Sequence, residues 1–168
     1  FHLRFSYRST EVKIMIKALR IDHRLVHGQV AFTWTHFLGA TRIIVIDDKT
    51  AGDDFQKMAL NMAKPAGVKL NVFSVAKAVE RAEKIDSLSD SVFIIFGSTK
   101  DAAGYITAHP VFKELNLGGI AKKDGSKNYG EVVYLTPEEE EDLRKIKATG
   151  CQLFMQQLPT TKRESLDL

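Results

Sequence analysis

Residues 41–47 read TRIIVID, and residues 48–63 continue as DKTAGDDFQKMALNMA. An unbroken β-branched run with no polar alternation is the pattern of a strand covered on both faces, as in parallel sheets. Residues 48–53, with Gly52, read as a loop. Asp53 is a candidate N-cap, and Phe55, Met58, Ala59 and Met62 recur at helical spacing, which predicts a helix over 53–63 stopped by Pro65 and Gly67. The unit is strand, loop, helix.

The same alternation extends in both directions. Upstream, 15–21 (MIKALRI) reads as a strand, and 27–38 (HGQVAFTWTHFL) as a helix closed by Gly39. Downstream, 68–73 reads as a strand, 75–85 as a helix capped by Ser74, 91–96 (SVFIIF) as a second buried strand, and 100–108 as a helix closed by Pro110. A short strand over 114–117 precedes a polar turn at 122–128 (KKDGSKN). Residues 131–135 (EVVYL) read as a strand, and Thr136-Pro137 opens a helix that ends at Gly150. Residues 151–156 read as a last strand, and Pro159 onward as a tail. Strands alternating with helices mean βαβ units. The expected fold is α/β: an open, mostly parallel seven-stranded sheet with helices on both faces, in one domain.

The 168 residues, 44% hydrophobic and 27% charged, suit one globular domain that needs no disulfide or structural metal to hold a core. A net charge of +3 is too small and too evenly spread for a nucleic-acid footprint, so no nucleic-acid partner is expected. Cys151 is the single cysteine, which excludes an intrachain disulfide and fits a reducing cytoplasm. No apolar run approaches the roughly 18 residues that a membrane span requires. Residues 1–13, FHLRFSYRSTEVK, carry no signal-peptide pattern. The switch from that irregular stretch to MIKALRI gives the expectation that Met15 is the native start. The domain would then span 15–168, and residues 1–14 would be a vector-derived or flexible N-terminal extension; a genuine extension is the other reading.

In open parallel sheets, ligands bind at the carboxyl ends of the strands. That directs attention to 22–28, 47–52, Ser74 and 97–100. The densest polar cluster follows the first strand: Asp22, His23, Arg24, His27, Gly28 and Gln29. His27 stands where loop becomes helix. The positive end of a helix disfavours imidazolium, and a neutral imidazole is a competent nucleophile. A phosphoryl group placed there would meet free backbone N–H groups, with Gly28 allowing their close approach. Arg24 offers a bidentate, charge-assisted contact, and Asp22 either orients His27 or holds Arg24. Taken alone, a His beside a helix start is more often a cap or a surface residue. His23, His36 and His109 read as structural or exposed.

The stretch RIDHRLVHGQV at residues 20–30 resembles the active-site signature of the IIB components of the mannose/fructose/sorbose family of bacterial sugar phosphotransferase systems. The resemblance extends to RIIVIDD at 42–48, FSVAKA at 73–78 and the closing strand before Pro159. It departs at His23, where the family commonly has a second Asp. The resemblance implies that His27, in the HGQ triplet, accepts a phosphoryl group from a phosphorylated IIA component. His27 would then pass it to a sugar during uptake through membrane IIC and IID components. It thus implies a protein-phosphohistidine–sugar phosphotransferase, cytoplasmic and peripherally held at the membrane through IIC/IID, with no cofactor or metal and with homodimerisation left open. Arg24 and Asp22 would assist His27, and Gly28 and Gln29 would bind phosphate; on position alone, Ser74 and Ser98-Thr99, at the ends of other strands, line the same crevice, which makes Ser74 and Ser98 further phosphate-binding candidates. A relay protein must show its His to two partners, so a shallow face with apolar residues bordered by Arg and Lys is expected around His27, without a deep sugar pocket.

Two other classes stay open on the residues alone. One is a metal-dependent hydrolase using His23, His27, Asp47 and Asp48, although His23 precedes the helix. The other is a non-catalytic regulatory module on the same fold.

Overall fold

The computed structural model describes residues 15–168; the expectation about residues 1–14 lies outside the described residues. The chain runs β1 (Ile16–Asp22), α1 (Gly28–Leu38), β2 (Arg42–Ile46), α2 (Asp48–Ala51), α3 (Asp54–Ala63), β3 (Lys69–Phe73), α4 (Val75–Glu80), α5 (Ala82–Asp86), β4 (Val92–Phe96) and α6 (Thr99–Ala108). It continues with β5 (Glu114–Gly119), β6 (Lys127–Asn128), β7 (Tyr134–Leu135), α7 (Pro137–Ala148), β8 (Gln152–Met155) and β9 (Glu164–Ser165). Seven strands form one sheet in the order β3-β2-β4-β1-β5-β8-β9. All are parallel except β9, which runs antiparallel to β8.

The strand alternation sorts the core into two layers. Ile43 and Val45 of β2 and Phe93 and Ile95 of β4 pack with Ala31 and Trp34 of α1 and Leu60 of α3. Leu19, Ile21, Ile44, Ile46, Ile94 and Phe96 project to the opposite face, against α4, α5, α6 and α7. Parallel crossovers are right-handed, so a connection moving to one side of the sheet covers one face and a connection moving the other way covers the other. The helix after β1 lies on the first face and the helix after β4 on the second, yet β1 and β4 are hydrogen-bonded neighbours. The sheet's switch point, where the helices diverge and leave a crevice at the strand ends, therefore falls beside residues 22–28.

The α/β class, the seven-stranded sheet and the helices on both faces are as expected, but several elements differ. The expected loop at 48–53 contains the one-turn helix α2, because the Asp47 carboxylate accepts the Thr50 amide at 3.1 Å and caps it. The expected helix over 75–85 breaks at Arg81 (φ −101°, ψ 11°) into α4 and α5, and Ala78 on one side of the break and Ala82 and Ile85 on the other are buried. Residues 131–135 add no strand to the main sheet and touch it only through one parallel bridge, Val133 to Ile120 just past β5. Only Tyr134 and Leu135 form a strand, paired antiparallel with Lys127 and Asn128 out of the expected polar turn, while Val133 and Leu135 face the core beneath α7. The seventh place in the sheet belongs instead to the segment expected to be a tail. Phe154 and Met155 pair with Ser165 and Glu164, and Leu166 is buried. The Arg163 guanidinium lies 3.7 Å from the centre of the Phe154 ring and binds Glu114 with both Nη atoms.

Removing residues 159–168 should therefore destabilise the fold by about 2 kcal/mol or more, from the buried Leu166 side chain and the lost edge pairing. Urea unfolding measures this; a change under about 0.5 kcal/mol, the scale of neutral surface changes, would return the segment to the status of a tail.

Candidate functional site

Strand β1 carries two charges into the core. Its sequence, IKALRID, alternates so that Leu19 and Ile21 face one layer while Arg20 and Asp22 face α1, and both charged residues are almost fully buried. A buried charge demands partners. Asp22 accepts three hydrogen bonds from Arg24: from its backbone amide at 3.0 Å, from Nε at 3.1 Å and from Nη2 at 3.1 Å. Its Oδ2 also lies 3.6 Å from Arg20 Nη2. Of the two orienting roles open to Asp22, the contact made is with Arg24. The Arg24 side chain is about one-third exposed (31%), so the pair runs from the core to the surface.

The loop after Asp22 is tightly folded. Leu25 donates its amide to Asp22 O at 2.9 Å, and His23 donates its own to Gly119 O at 3.0 Å. Leu25 holds φ at +61°, and among the described residues it is the one non-glycine with positive φ. That conformation costs about 1–2 kcal/mol, and such strain persists only where surroundings enforce it. Here Leu25 Cδ2 reaches over Gly97 at the end of β4, and Val26 is buried with Ala31 and Trp34. With residues 25 and 26 turned inward, His27 is turned outward. It is exposed, takes the N-cap position of α1 with extended backbone (φ −132°, ψ 112°), and makes no capping hydrogen bond with its side chain. Gly28 follows at φ +49°, a conformation that favours glycine. Gln29 is exposed, its Nε2 3.5 Å from Thr33 Oγ1.

The other candidates lie apart from this loop. Ser98 and Ser74 stand at the carboxyl ends of β4 and β3; their hydroxyls accept the Asp101 amide and the Lys77 amide, both at 3.1 Å, as helix caps. Strand β4 adjoins β1, whereas β3 is the far edge, with β2 and β4 between. Asp47 caps α2, and Asp48 accepts the Val75 amide at 2.8 Å while donating its own amide to Asp101 at 2.9 Å. Among the described residues no three His, Cys, Asp or Glu side chains are grouped to hold a metal ion, so His23, His27, Asp47 and Asp48 do not converge as a hydrolase site would need. His36 stacks on Phe32 and is exposed; His109 pairs with Asp86 at 2.6 Å. Two surface hollows, of about 270 and 610 Å³, are lined by residues of α1 with 65–68 and of α2 with α4, and neither includes His27.

Arg20 is the site residue that sequence reasoning passes over. A charge in the middle of an otherwise apolar strand is the available signal, since arginine is almost never fully buried without a partner.

The family model described as "PTS system sorbose subfamily IIB component" matches residues 16–168. The chain is 31% identical over 148 residues to the N-acetylgalactosamine-specific phosphotransferase enzyme IIB component 1 of Escherichia coli, covering 88% of this chain and 93% of that protein. It is 30% identical over 156 residues to the mannose-specific EIIAB component of Escherichia coli, covering 92% of this chain and 48% of that longer protein. The crystal structure of the IIB domain of the sorbose permease from Klebsiella pneumoniae superposes with a TM-score of 0.82 at 30% identity, covering 89% of this chain and 92% of that one.

Two stability measurements test this geometry. Asp22→Asn leaves two guanidiniums against a neutral partner, and stability should fall by about 3 kcal/mol, the scale for uncoupling a buried ion pair; a loss under about 1 kcal/mol would mean that solvent already satisfies the arginines. The second concerns Asp101, whose pKa is raised to about 6, chiefly by burial, with further contributions from the Asp48 and Asp47 charges and opposition from the Asp48 amide. The folded state therefore holds this proton more tightly than the unfolded chain, and ionised Asp101 costs stability above about pH 6. The cost disappears at pH values below the ordinary carboxylate range. Asp101→Asn should raise stability at pH 7 by about 1 kcal/mol or more and have little effect at pH 4; a loss at pH 7 would contradict the sign.

Proposed function

The chain belongs to the sorbose subfamily of IIB components of the sugar phosphotransferase system, and from that premise we propose that it carries a phosphoryl group on His27. The membership makes it a transferase component of sugar transport. The observation that carries the finer reading is the setting of His27: an exposed imidazole with no capping bond, at the start of an eleven-residue helix, three residues after an arginine fixed by a buried carboxylate.

A neutral ring nitrogen of His27 attacks the phosphorus of a phosphorylated IIA component. The donor's P–N bond breaks as the new one forms. In the second step a sugar hydroxyl attacks the same phosphorus, the P–N bond to His27 breaks, and the hydroxyl proton ends on the departing imidazole nitrogen. Such transfers need positioning and charge compensation more than covalent help from the protein. Arg20 and Arg24 against Asp22 leave one net positive charge beside the loop, suited to the incoming anion. Arg24 spends Nε and Nη2 on Asp22, leaving Nη1 to meet phosphoryl oxygens. The first-turn amides of α1, at Gly28 and Gln29, supply further donors.

The mannose-specific relative carries IIA and IIB in its printed name, which supports a IIA component as donor. Membrane IIC and IID components and a sugar are the proposed recipients. No helix among the described residues is long and apolar enough to cross a membrane, consistent with peripheral attachment on the cytoplasmic side.

The competing acceptor is Cys151. It is buried, and burial, with the Glu114 charge adding, pushes its thiol up to about 11, so the nucleophilic thiolate is scarce at pH 7. The chain incubated with a phosphorylated IIA protein should acquire one acid-labile, base-stable phosphate. Cys151→Ser should label normally and His27→Ala should not label. Labelling that survives in folded His27→Ala but is lost in Cys151→Ser would reverse the assignment.

A further inference from the structure

We propose that Arg20 is a positioning residue for this transfer: its buried guanidinium ties the Asp22–Arg24 pair to the chain at Gln156 and Gln157. The inference rests on the reading of His27 as the phosphoryl acceptor and adds a residue outside that loop.

Arg20 is 2% exposed. Burying one ion costs several kcal/mol, and an apolar side chain of similar volume would avoid that cost, so filling space does not account for the charge. Its donors are directed to two places. Nη1 donates to Gln156 O at 2.8 Å and Nη2 to Gln157 O at 3.2 Å, while Nη2 also faces Asp22 Oδ2. The guanidinium lies 5.3 Å from the centre of the Trp34 ring. Burial brings its pKa down to about 10, so the group remains charged at neutral pH.

The surrounding chain is built around this contact. Gly118 on the neighbouring strand gives the guanidinium its path, since a β-carbon there would stand 2.0 Å from Arg20 Cζ. Gln156 and Gln157 are fixed independently: Trp34 Nε1 donates to Gln157 O at 2.8 Å, and Asn116 exchanges two hydrogen bonds with the Gln156 backbone, at 3.1 and 3.0 Å. Residues of β1, α1 and β5 thus clamp one short segment, and Arg20 passes that fixed geometry to Asp22. Asp22 in turn holds Arg24. Arg20 does not touch the reacting atoms; it sets the carboxylate that sets the arginine that meets the phosphoryl group.

The test is single-turnover phosphoryl transfer to the full chain at varied donor concentration. The donors are the phosphorylated IIA domain of the Escherichia coli mannose-specific EIIAB component and, separately, phosphoramidate, a small donor that needs no docking. Arg20→Met should lower the maximal rate per folded molecule by about tenfold or more with both donors, while the half-saturating IIA concentration changes by less than about twofold. Arg20→Lys, which keeps the charge but cannot span both carbonyls, should recover part of the rate. Trp34→Phe, which keeps the ring and loses the bond to Gln157, should show a smaller loss, also confined to the maximal rate. A merely structural Arg20 would lower the folded fraction and the melting temperature and leave the rate per folded molecule unchanged; that result overturns the proposal. So does a loss found wholly in half-saturation. If Arg20→Met does not fold, Trp34→Phe decides, and an undiminished maximal rate in it overturns the proposal. Wild-type protein left unlabelled at His27 by both donors would instead overturn the functional reading beneath it.

Discussion

One buried carboxylate between two guanidiniums organises this molecule's site. Asp22 ends the central strand of the sheet and is almost wholly removed from solvent, with Arg20 behind it in the core and Arg24 in front of it at the surface. In that low-dielectric setting neither Asp22 nor Arg20 is tolerable alone. Together they fix the direction of Arg24, the turn that follows, and the orientation in which His27 leaves the loop. The strained Leu25 and the buried Val26 complete the arrangement: two side chains turned inward leave the next one turned outward.

The sheet explains why this happens at the end of β1. The helix that follows β1 and the helix that follows its neighbour β4 cover opposite faces, so the crevice between them opens beside Asp22. The C-terminal chain adds what an open sheet lacks there. After β8 it passes Arg20, Trp34 and Asn116, each of which bonds its backbone, before returning as an antiparallel edge. The site is therefore assembled from the two ends of the described chain, which is why a contact 136 residues apart in sequence bears on the five-residue loop 23–27.

Much of this is legible in the sequence. Continuous apolar runs such as IIVI and VFIIF leave no choice but a sheet covered on both faces, and the sequence places His27 between a strand and a helix, where the structure has it exposed at the N-cap of α1. What the sequence hides, it hides for physical reasons. EVVYL has strand composition, but its apolar residues are buried beneath α7 rather than paired in the main sheet, because burial and pairing are separate demands. The segment after Pro159 looks like a tail because a two-residue edge strand has no periodicity to detect. Phe55, Met58 and Met62 have the helical spacing of an inward face, yet all are exposed and only Leu60 of α3 is buried. Arg20 lies inside the RIDHRLVHGQV stretch with no role that a local pattern assigns, because its partners stand at the other end of the chain.

The central claim is that Asp22 acts through Arg24. A double-mutant cycle on the maximal rate of phosphoryl transfer to His27 tests it directly, using Asp22→Asn, Arg24→Ala and the pair together. If the carboxylate's part in transfer is to hold that guanidinium, the double variant is no slower than Arg24→Ala alone. If the two losses multiply, Asp22 acts on the transfer by a route of its own, and the coupling of carboxylate to guanidinium is not what prepares His27.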